Sequence, residues 1–189
     1  MQKSVLVGMS GGVDSTVTAL MLKEQGYKVA GATFRLWDKF GDMTAPDLVS
    51  DAKSVCDLLD IPHYVVDYQK EFLQNVIEPF ANSYNSGQTP NPCVNCNKTI
   101  KFGAFLKEAE NLGYDYIATG HYSRVEYNET LGRYRLLKGV SQKRDQSYFL
   151  YTLSQEQLSR TLMPLGGYDK PEVRKIADDF GFVSAKKPD

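Results

Sequence analysis

The sequence predicts an α/β domain with a doubly wound, mostly parallel sheet and helices on both faces. An apolar run at residues 5–7 can form a buried strand, and a glycine-containing turn joins it to a helical pattern over residues 16–25. A second strand-like run follows at residues 28–37, and a strand–helix–strand unit of this kind crosses over with a right hand. Since ligands of open α/β sheets lie beyond the carboxyl ends of the strands, we expect residues 34–37, with Phe34 among them, to lie near a bound nucleotide.

The rest of the chain continues the alternation of strands and helices. Residues 38–46 are predicted to be a polar loop. The further elements are predicted as a helix over 47–59, a strand over 63–68, a helix over 70–84, a helix over 98–111, a strand over 116–122, a hairpin of 123–127 with 133–138, and two short helices that open at Ser154 and Asp169. Pro79 should interrupt the 70–84 helix, because proline lacks the backbone N–H. Cys56 lies on the apolar face of the 47–59 helix and is predicted to be a core thiol.

The turn after the first strand has the features of a phosphate-binding loop. Its members are Gly8, Met9, Ser10, Gly11, Gly12, Val13, Asp14 and Ser15. Glycines let the backbone approach a ligand closely, and the first N–H groups of the following helix have no partner within it. The loop lacks the lysine of a Walker-type loop, so we interpret Asp14 as a group that binds Mg²⁺ beside a polyphosphate. The alternative is an ordinary strand-to-helix turn capped by a serine or an aspartate.

A second informative stretch lies at residues 87–98. Pro90 and Pro92 are expected to hold the backbone extended, and Cys93 and Cys96 follow in a C-x-x-C arrangement before the predicted 98–111 helix. A thiol at a helix N-terminus with lysines nearby should have a lowered pKa, which makes Cys96 a candidate nucleophile. One C-x-x-C supplies only two ligands, so the pattern disfavours a structural zinc site.

Composition and charge limit the number of domains, the cellular compartment and the kinds of partner that we expect. The chain has 189 residues, 42% of them hydrophobic, which suits one domain or slightly more with a real core. The N-terminus lacks the apolar segment of a signal peptide, no membrane-spanning stretch occurs, and only three cysteines are present, so we expect a reducing, cytoplasmic setting. The net charge of −1 conceals a local excess of +4 between residues 124 and 144, which suits contact with RNA phosphates and equally a solvated hairpin.

Five stretches carry a resemblance to known families. Residues 10–15, Ser-Gly-Gly-Val-Asp-Ser, are similar to the SGGxDS loop of the PP-loop ATP pyrophosphatases. The others are Thr-Pro-Asn-Pro with Cys-Asn at 89–97, Ile-Lys-Phe at 100–102, Tyr-Ile-Ala-Thr-Gly-His-Tyr at 116–122 and Asp-Gln-Ser-Tyr-Phe-Leu-Tyr at 145–151. In this order they resemble the bacterial tRNA-specific 2-thiouridylases, and the similarity runs from residue 5 to the end.

The resemblance implies a fold, a reaction and a set of site residues. The fold implied is adenine nucleotide α-hydrolase-like, and the reaction is ATP-dependent adenylation of the wobble uridine C2 oxygen in tRNA, followed by sulfur transfer to give 2-thiouridine. By position, the ATP contacts of the family match residues 8–15, Phe34 and Gly120, and its target-base loop matches Asn91, Pro92 and Cys93. The first catalytic cysteine of the family matches Cys96, and its tRNA contacts match His121, Arg144, Asp145 and Gln146. ATP and Mg²⁺ are the implied cofactors. tRNA and a persulfide carrier or cysteine desulfurase are the implied partners, with no membrane.

The sequence departs from the family pattern in two places. Many members carry aspartate where this chain has Cys93, and the second catalytic cysteine of the family lies beyond residue 189. The resemblance therefore implies a catalytic domain at residues 1–152, the start of a central domain at residues 153–189, and an absent C-terminal β-barrel. With Cys93 and Cys96 alone, we expect no catalytic sulfur transfer by this chain; the whole protein could use either a persulfide relay or a three-cysteine 4Fe–4S cluster. Another PP-loop ligase, or a non-catalytic RNA-binding or iron–sulfur module, remains as an alternative.

Overall fold

The structure is a computed structural model that describes residues 2–37 and 48–186. The loop predicted at residues 38–46 lies outside the described residues, as do positions 187–189. No helix in the described part of the chain is both long and apolar enough to cross a membrane.

Five strands form one parallel sheet and two more form a separate hairpin. The sheet contains β1 (Ser4–Gly8), β2 (Lys28–Arg35), β3 (His63–Asp67), β4 (Tyr116–Ala118) and β7 (Thr161–Leu162); the antiparallel hairpin contains β5 (Ser123–Asn128) and β6 (Arg133–Lys138). The order across the sheet is β3-β2-β1-β4-β7, and every pair is parallel. Because the chain winds outward in both directions from β1, the topological switch lies between β1 and β4, where such sheets bind ligands. The predicted fold class is confirmed.

The helices cover both faces of this sheet. They are α1 (Val13–Glu24), α2 (Leu48–Leu58), α3 (Gln69–Phe72), α4 (Glu78–Asn85), α5 (Pro92–Cys96), α6 (Phe105–Asn111), α7 (Gln155–Ser159) and α8 (Lys170–Asp179). A π-helical segment, Leu73–Ile77, joins α3 to α4, and another, Asn97–Ala104, joins α5 to α6. The helix predicted to be kinked or interrupted at Pro79 keeps a helical backbone through this residue. The proline lies in the first turn of α4, directly after a π-helical segment, where its missing N–H is tolerated.

The boundary predicted for the helix after the cysteines is wrong. The helix begins at Pro92, six residues before the predicted start, and it includes both Cys93 and Cys96. Asn91 is its N-cap, and the Asn91 side-chain oxygen accepts a hydrogen bond of 3.1 Å from the backbone N–H of Cys93. Proline is favoured at the first position of a helix, so Pro92 starts this helix where we expected it to keep the chain extended.

Side chains that alternate along β1 divide the core into two layers. Val5 and Val7 face a cluster built on α1, α2 and α8, whereas Leu6 faces a cluster that includes Phe102 and Phe105. All five of these residues are fully buried. Cys56 belongs to the first cluster and is fully buried, which confirms the predicted core thiol.

The segment after residue 152 completes the α/β layers in the described part of the chain. Strand β7 pairs with β4 at the edge of the sheet, and Val173 and Ala177 of α8 lie in the same core cluster as α1. Helices α7 and α8 begin directly after Ser154 and Asp169, as predicted, and each of these two residues forms a capping box. The division of the whole protein into domains at residue 152 stays a prediction.

Candidate active site

A cavity of about 320 Å³ opens at the carboxyl ends of β1 and β4. Nine predicted site residues line it: Gly8, Met9, Ser10, Asp14, Ser15, Phe34, Gly120, His121 and Gln146. Leu36 also lines it and falls within residues 34–37, which we expected near the nucleotide. The sequence did not point to four further lining residues, Thr33, Leu48, Lys101 and Thr119. The cavity therefore joins residues from the loop after β1, from β2 and from the segments after β4 and β6, at the topological switch of the sheet.

The loop after β1 presents a helix N-terminus to this cavity. Helix α1 begins at Val13 after the N-cap Gly12, and no side chain caps it, so the alternative of a turn capped by serine or aspartate is wrong. Ser15 instead braces the loop: its hydroxyl donates to the Gly12 carbonyl at 3.0 Å and accepts from the Ser10 N–H at 3.2 Å. Uncapped amides at the positive end of a helix dipole favour a bound anion such as phosphate.

Two glycines permit the close packing around this loop. Gly11 has φ +71°, and a Cβ atom at this position would lie 2.5 Å from the Cβ of Asp51. A Cβ atom on Gly120 would lie 2.9 Å from the Cβ of Asp14. The segment after β4 therefore lies directly against the first turn of α1, which brings two predicted motifs into one site.

Asp14 is held by two residues that the sequence analysis did not connect with it. The Lys170 ammonium lies 2.9 and 2.8 Å from the two carboxylate oxygens of Asp14, and the Tyr122 hydroxyl donates to one of these oxygens at 2.8 Å. Lys170 is only 8% exposed. The C-terminal segment thus supplies a cation at the predicted phosphate loop, where the loop itself has none.

Asp14 can contribute to a Mg²⁺ site only if the phosphates of a bound nucleotide supply further ligands. No group of three or more His, Cys, Asp or Glu side chains within residues 2–37 and 48–186 could hold a metal ion by itself. Mg²⁺ usually binds to one or two carboxylates together with substrate phosphates, and Asp14 can supply one carboxylate in the cavity. The assignment of Asp14 to Mg²⁺ remains a prediction.

His121 lies in the wall of the cavity as a neutral imidazole. It is 7% exposed, its Nδ1 lies 2.8 Å from the Thr119 hydroxyl, and its ring packs against Phe102 at 5.6 Å between centroids. Burial, with a smaller contribution from the positive charge of Lys101, lowers the pKa of His121 to about 3. The ring can therefore exchange hydrogen bonds with a ligand but adds no positive charge to the site at neutral pH.

Cys96 and Cys93 lie one helical turn apart on α5, outside the lining of the cavity. The lowered pKa that we expected for Cys96 is wrong: burial raises the pKa of this thiol, the positive charge of Lys101 opposes the increase, and the thiol of Cys93 adds to it. Lys101 follows Cys96 by five residues within the π-helical segment, whose i→i+5 hydrogen bonds bring such positions close together. Lys101 also lines the cavity together with residues of the phosphate loop, so its positive charge acts both on Cys96 and on this cavity.

The thiols of the described residues do not fit an iron–sulfur cluster. Cys93 is exposed and Cys96 is half-buried on α5, whereas Cys56 is buried within α2 in the core cluster beside α1. Burial raises the pKa of Cys56 to about 11, so this thiol stays protonated. A cluster held by three cysteines therefore cannot form from the described part of the chain.

The residues matched to tRNA contacts after β6 hold the cavity wall in place. The Tyr122 N–H donates to the side-chain oxygen of Gln146 at 3.0 Å, and the Gln146 N–H donates to the Tyr122 carbonyl at 3.1 Å. The Asp145 carboxylate accepts hydrogen bonds from Gly139 and Ser147, which lower its pKa although partial burial opposes this. Arg144 is exposed beside them.

The positive residues between 124 and 144 lie on the hairpin of β5 and β6 and in the segment that follows it. They are Arg124, Arg133, Arg135, Lys138, Lys143 and Arg144. Glu126 lies 3.3 Å from the Arg124 guanidinium and 3.7 Å from that of Arg135, and all three side chains are solvated. Exposed ion pairs contribute little free energy, so this hairpin keeps its positive potential.

Comparisons with known proteins agree with this geometry. Residues 3–189 match the family model described as tRNA methyl transferase HUP domain. The tRNA-specific 2-thiouridylase MnmA of Streptococcus agalactiae serotype III (strain NEM316) is 53% identical over 188 residues, which cover 98% of this chain and 50% of the relative. The chain spans about half the length of the curated relatives it matches.

Solved structures share the fold at low identity. A 4-thiouridine synthetase in complex with RNA and bound ATP superposes with a TM-score of 0.65 and 18% identity, over 98% of this chain and 43% of that one. The U34-tRNA thiolase NcsA from Methanococcus maripaludis, solved with its 4Fe-4S cluster, superposes with a TM-score of 0.58 and 19% identity, over 99% of this chain and 59% of that one. These likenesses show the PP-loop fold.

Proposed function

Since the chain belongs to the family described as tRNA methyl transferase HUP domain, we propose that it is the ATP-binding catalytic region of a tRNA 2-thiouridylase. The proposed reaction replaces the C2 oxygen of a uridine by sulfur. In the first step the C2 oxygen attacks the α-phosphate of ATP, and pyrophosphate leaves. In the second step the outer sulfur of a cysteine persulfide attacks C2, and AMP leaves. A second cysteine thiolate then attacks the inner sulfur, so the S–S bond breaks and leaves 2-thiouridine and a disulfide.

One observation carries this proposal. Residues from three separated motifs, represented by Asp14, His121 and Gln146, line a single cavity at the switch point of a parallel sheet. The relatives that share these motifs over the whole chain are named tRNA-specific 2-thiouridylases and are about half identical to it. A PP-loop ligase for small carboxylates would need the same loop but neither the C-x-x-C helix nor the basic hairpin, so we prefer the RNA-directed reaction.

The ATP phosphates are proposed to lie on the uncapped first turn of α1. Backbone N–H groups there, together with the ammonium group of Lys101, which lines the cavity, offset the phosphate charge. Mg²⁺ bound with the nucleotide would take Asp14 as its protein ligand and would neutralise the departing pyrophosphate. Phe34, whose ring packs edge-on against Phe105 at 4.7 Å, forms an apolar wall suited to the adenine.

Cys96 is proposed to act at C2 of the uridine, with Cys93 beside it. The raised pKa of Cys96 leaves its thiol protonated at rest, so reaction requires loss of that proton or delivery of sulfur as a persulfide. Lys101 favours the anionic form. A persulfide carrier or cysteine desulfurase is the proposed sulfur donor, and the cytoplasm, where thiols stay reduced, is the proposed location.

Pyrophosphate release under single-turnover conditions tests this function. The chain is mixed in excess with unmodified tRNA, Mg²⁺ and ATP labelled in its γ-phosphate. We expect labelled pyrophosphate with unmodified tRNA and none with the same tRNA already carrying 2-thiouridine, because sulfur replaces the attacking oxygen. Equal release from both tRNAs, or release only in the absence of RNA, would contradict the proposal.

A further inference from the structure

The short 3₁₀ helix Ser147–Leu150, with its C-cap Tyr151, carries two exposed aromatic rings on one side. Tyr148 and Tyr151 are each 66% exposed, although large aromatic side chains usually bury most of their surface. In a 3₁₀ helix, side chains three residues apart eclipse one another, so these rings leave the surface in the same direction. Their centroids are 6.1 Å apart and their planes differ by 38°.

The rest of this helix is firmly anchored, so the backbone that carries the exposed rings is held in place. Leu150 is fully buried, and the Ser147 N–H and hydroxyl both donate to the Asp145 carboxylate. The Asn97 side-chain amide donates to the Phe149 carbonyl at 3.1 Å, which ties the helix to the residue directly after Cys96. A fixed pair of rings loses little conformational entropy when it binds a flat ligand.

The two rings lie close along the chain to a residue that lines the cavity and to two basic residues. Gln146 lines the cavity, and the Cα atom of Tyr148, two residues later, can lie at most about 7 Å from that of Gln146. Lys143 and Arg144, both exposed, lie four and three residues before Ser147, the first residue of this helix. Exposed aromatic rings beside basic side chains are the usual surface for single-stranded nucleic acid, in which bases stack on the rings and phosphates contact the cations.

We propose that Tyr148 and Tyr151 form a stacking platform for an unpaired base adjacent to the target uridine of the RNA. Two aromatic planes on either side of a base would need to be about 7 Å apart, since stacked bases are separated by about 3.4 Å. The tyrosine rings are closer than this and tilted. The base therefore stacks on the outer face of the pair, and this binding leaves the target uridine free to enter the cavity. The inference rests on the proposed function, because it takes RNA as the substrate.

The test measures binding of a fluorescently labelled RNA stem-loop with the target uridine in its loop, by anisotropy, at one salt concentration. We expect Tyr148→Leu to weaken binding about 5- to 100-fold, because stacking of one base on an aromatic ring contributes on this scale. Tyr148→Phe, which keeps the ring, should bind within about twofold of the wild type. Phe180→Leu is the matched control, since Phe180 is an exposed aromatic beside Leu58 and Asp60, which precede β3 at the opposite edge of the sheet.

A second RNA isolates the contact from any effect on folding. Abasic nucleotides replace, in turn, the nucleotide before and the nucleotide after the target uridine. At one of these two positions, loss of the base should weaken binding to the wild type and abolish the penalty of Tyr148→Leu. An unchanged Tyr148→Leu penalty with both abasic RNAs, or no penalty with intact RNA, would overturn the platform while leaving the proposed function intact. Failure of the wild type to bind the stem-loop at all would overturn both.

Discussion

Breaking the ion pair between Lys170 and Asp14 should lower the free energy of unfolding, and the size of this loss depends on how deeply the pair is buried. The side chains are 10% and 32% exposed, and the ammonium contacts both carboxylate oxygens. Exposed pairs contribute about 0–1 kcal/mol, and removal of one partner of a fully buried pair costs about 3–5 kcal/mol. Because Asp14 keeps access to water and the Tyr122 hydroxyl, we expect a coupling free energy of about 1–2 kcal/mol, between these two cases.

A double-mutant cycle measures this coupling. The free energy of unfolding in urea is determined for the wild type, Lys170→Met, Asp14→Asn and the double variant, so that effects of each residue on its other neighbours cancel. Lys53 and Asp57 provide a matched control pair at 2.8 Å, with side chains 60% and 63% exposed, for which we expect about 0.3–0.5 kcal/mol. A Lys170–Asp14 coupling no larger than that of the control would refute the claim that α8 fixes the phosphate loop.

Three further predictions concern acid stability, thiol reactivity and RNA binding. The pKa of His121 is about 3 in the folded state and about 6.5 when unfolded, so the stability that the neutral ring contributes is complete above pH 6.5 and is lost as the pH falls. From pH 7 to pH 5 the free energy of unfolding should therefore drop by about 2 kcal/mol more in the wild type than in His121→Gln. Equal drops of the two proteins in urea titrations would exclude this burial of His121. Lys101→Met should move the alkylation midpoint of Cys96, measured by iodoacetamide labelling and mass spectrometry, to higher pH, and an unchanged midpoint would show that Lys101 does not act on the thiol. Replacing Arg133 and Arg144 by alanine should reduce the slope of log affinity for tRNA against log salt by about 0.7–0.9 for each phosphate that the variant no longer neutralises, whereas an unchanged slope would place the RNA elsewhere.

The sequence was sufficient for the parts of the fold that local patterns encode. The apolar run at 5–7, its glycine turn and the helix behind it follow from periodicity and from the steric freedom of glycine. The helix start at Pro92 was also encoded, by an Asn-Pro pair suited to the N-cap and first positions, but we gave more weight to proline as a helix breaker. A proline at the first position of a helix starts the helix, whereas a proline in its interior breaks it, so the position of Pro92 after an N-cap residue was the informative signal.

Two features of the site could not be predicted from local patterns. Lys170 and Asp14 are separated by 156 positions, and only the packing of α8 on α1 brings them together. The raised pKa of Cys96 depends on how much of its side chain the surrounding helices cover, whereas the positive charge of its sequence neighbour Lys101 favours the opposite shift. Long-range packing therefore determined the electrostatics of the site, while local motifs determined its location.

Hydrogen exchange on the chain with and without Mg²⁺ and ATP tests most directly whether the cavity between β1 and β4 is the nucleotide site. Bound ATP should slow amide exchange in the peptides that contain residues 8–16 and 119–122, because the phosphates accept hydrogen bonds from the first turn of α1. A second cavity, lined by Leu20, Leu58 and Phe180, lies near the C-terminal ends of α1 and α2 and provides an internal comparison. The account predicts protection at the first cavity and none at the second. Unchanged exchange at residues 8–16 with saturating ATP, or protection confined to the second cavity, would contradict it.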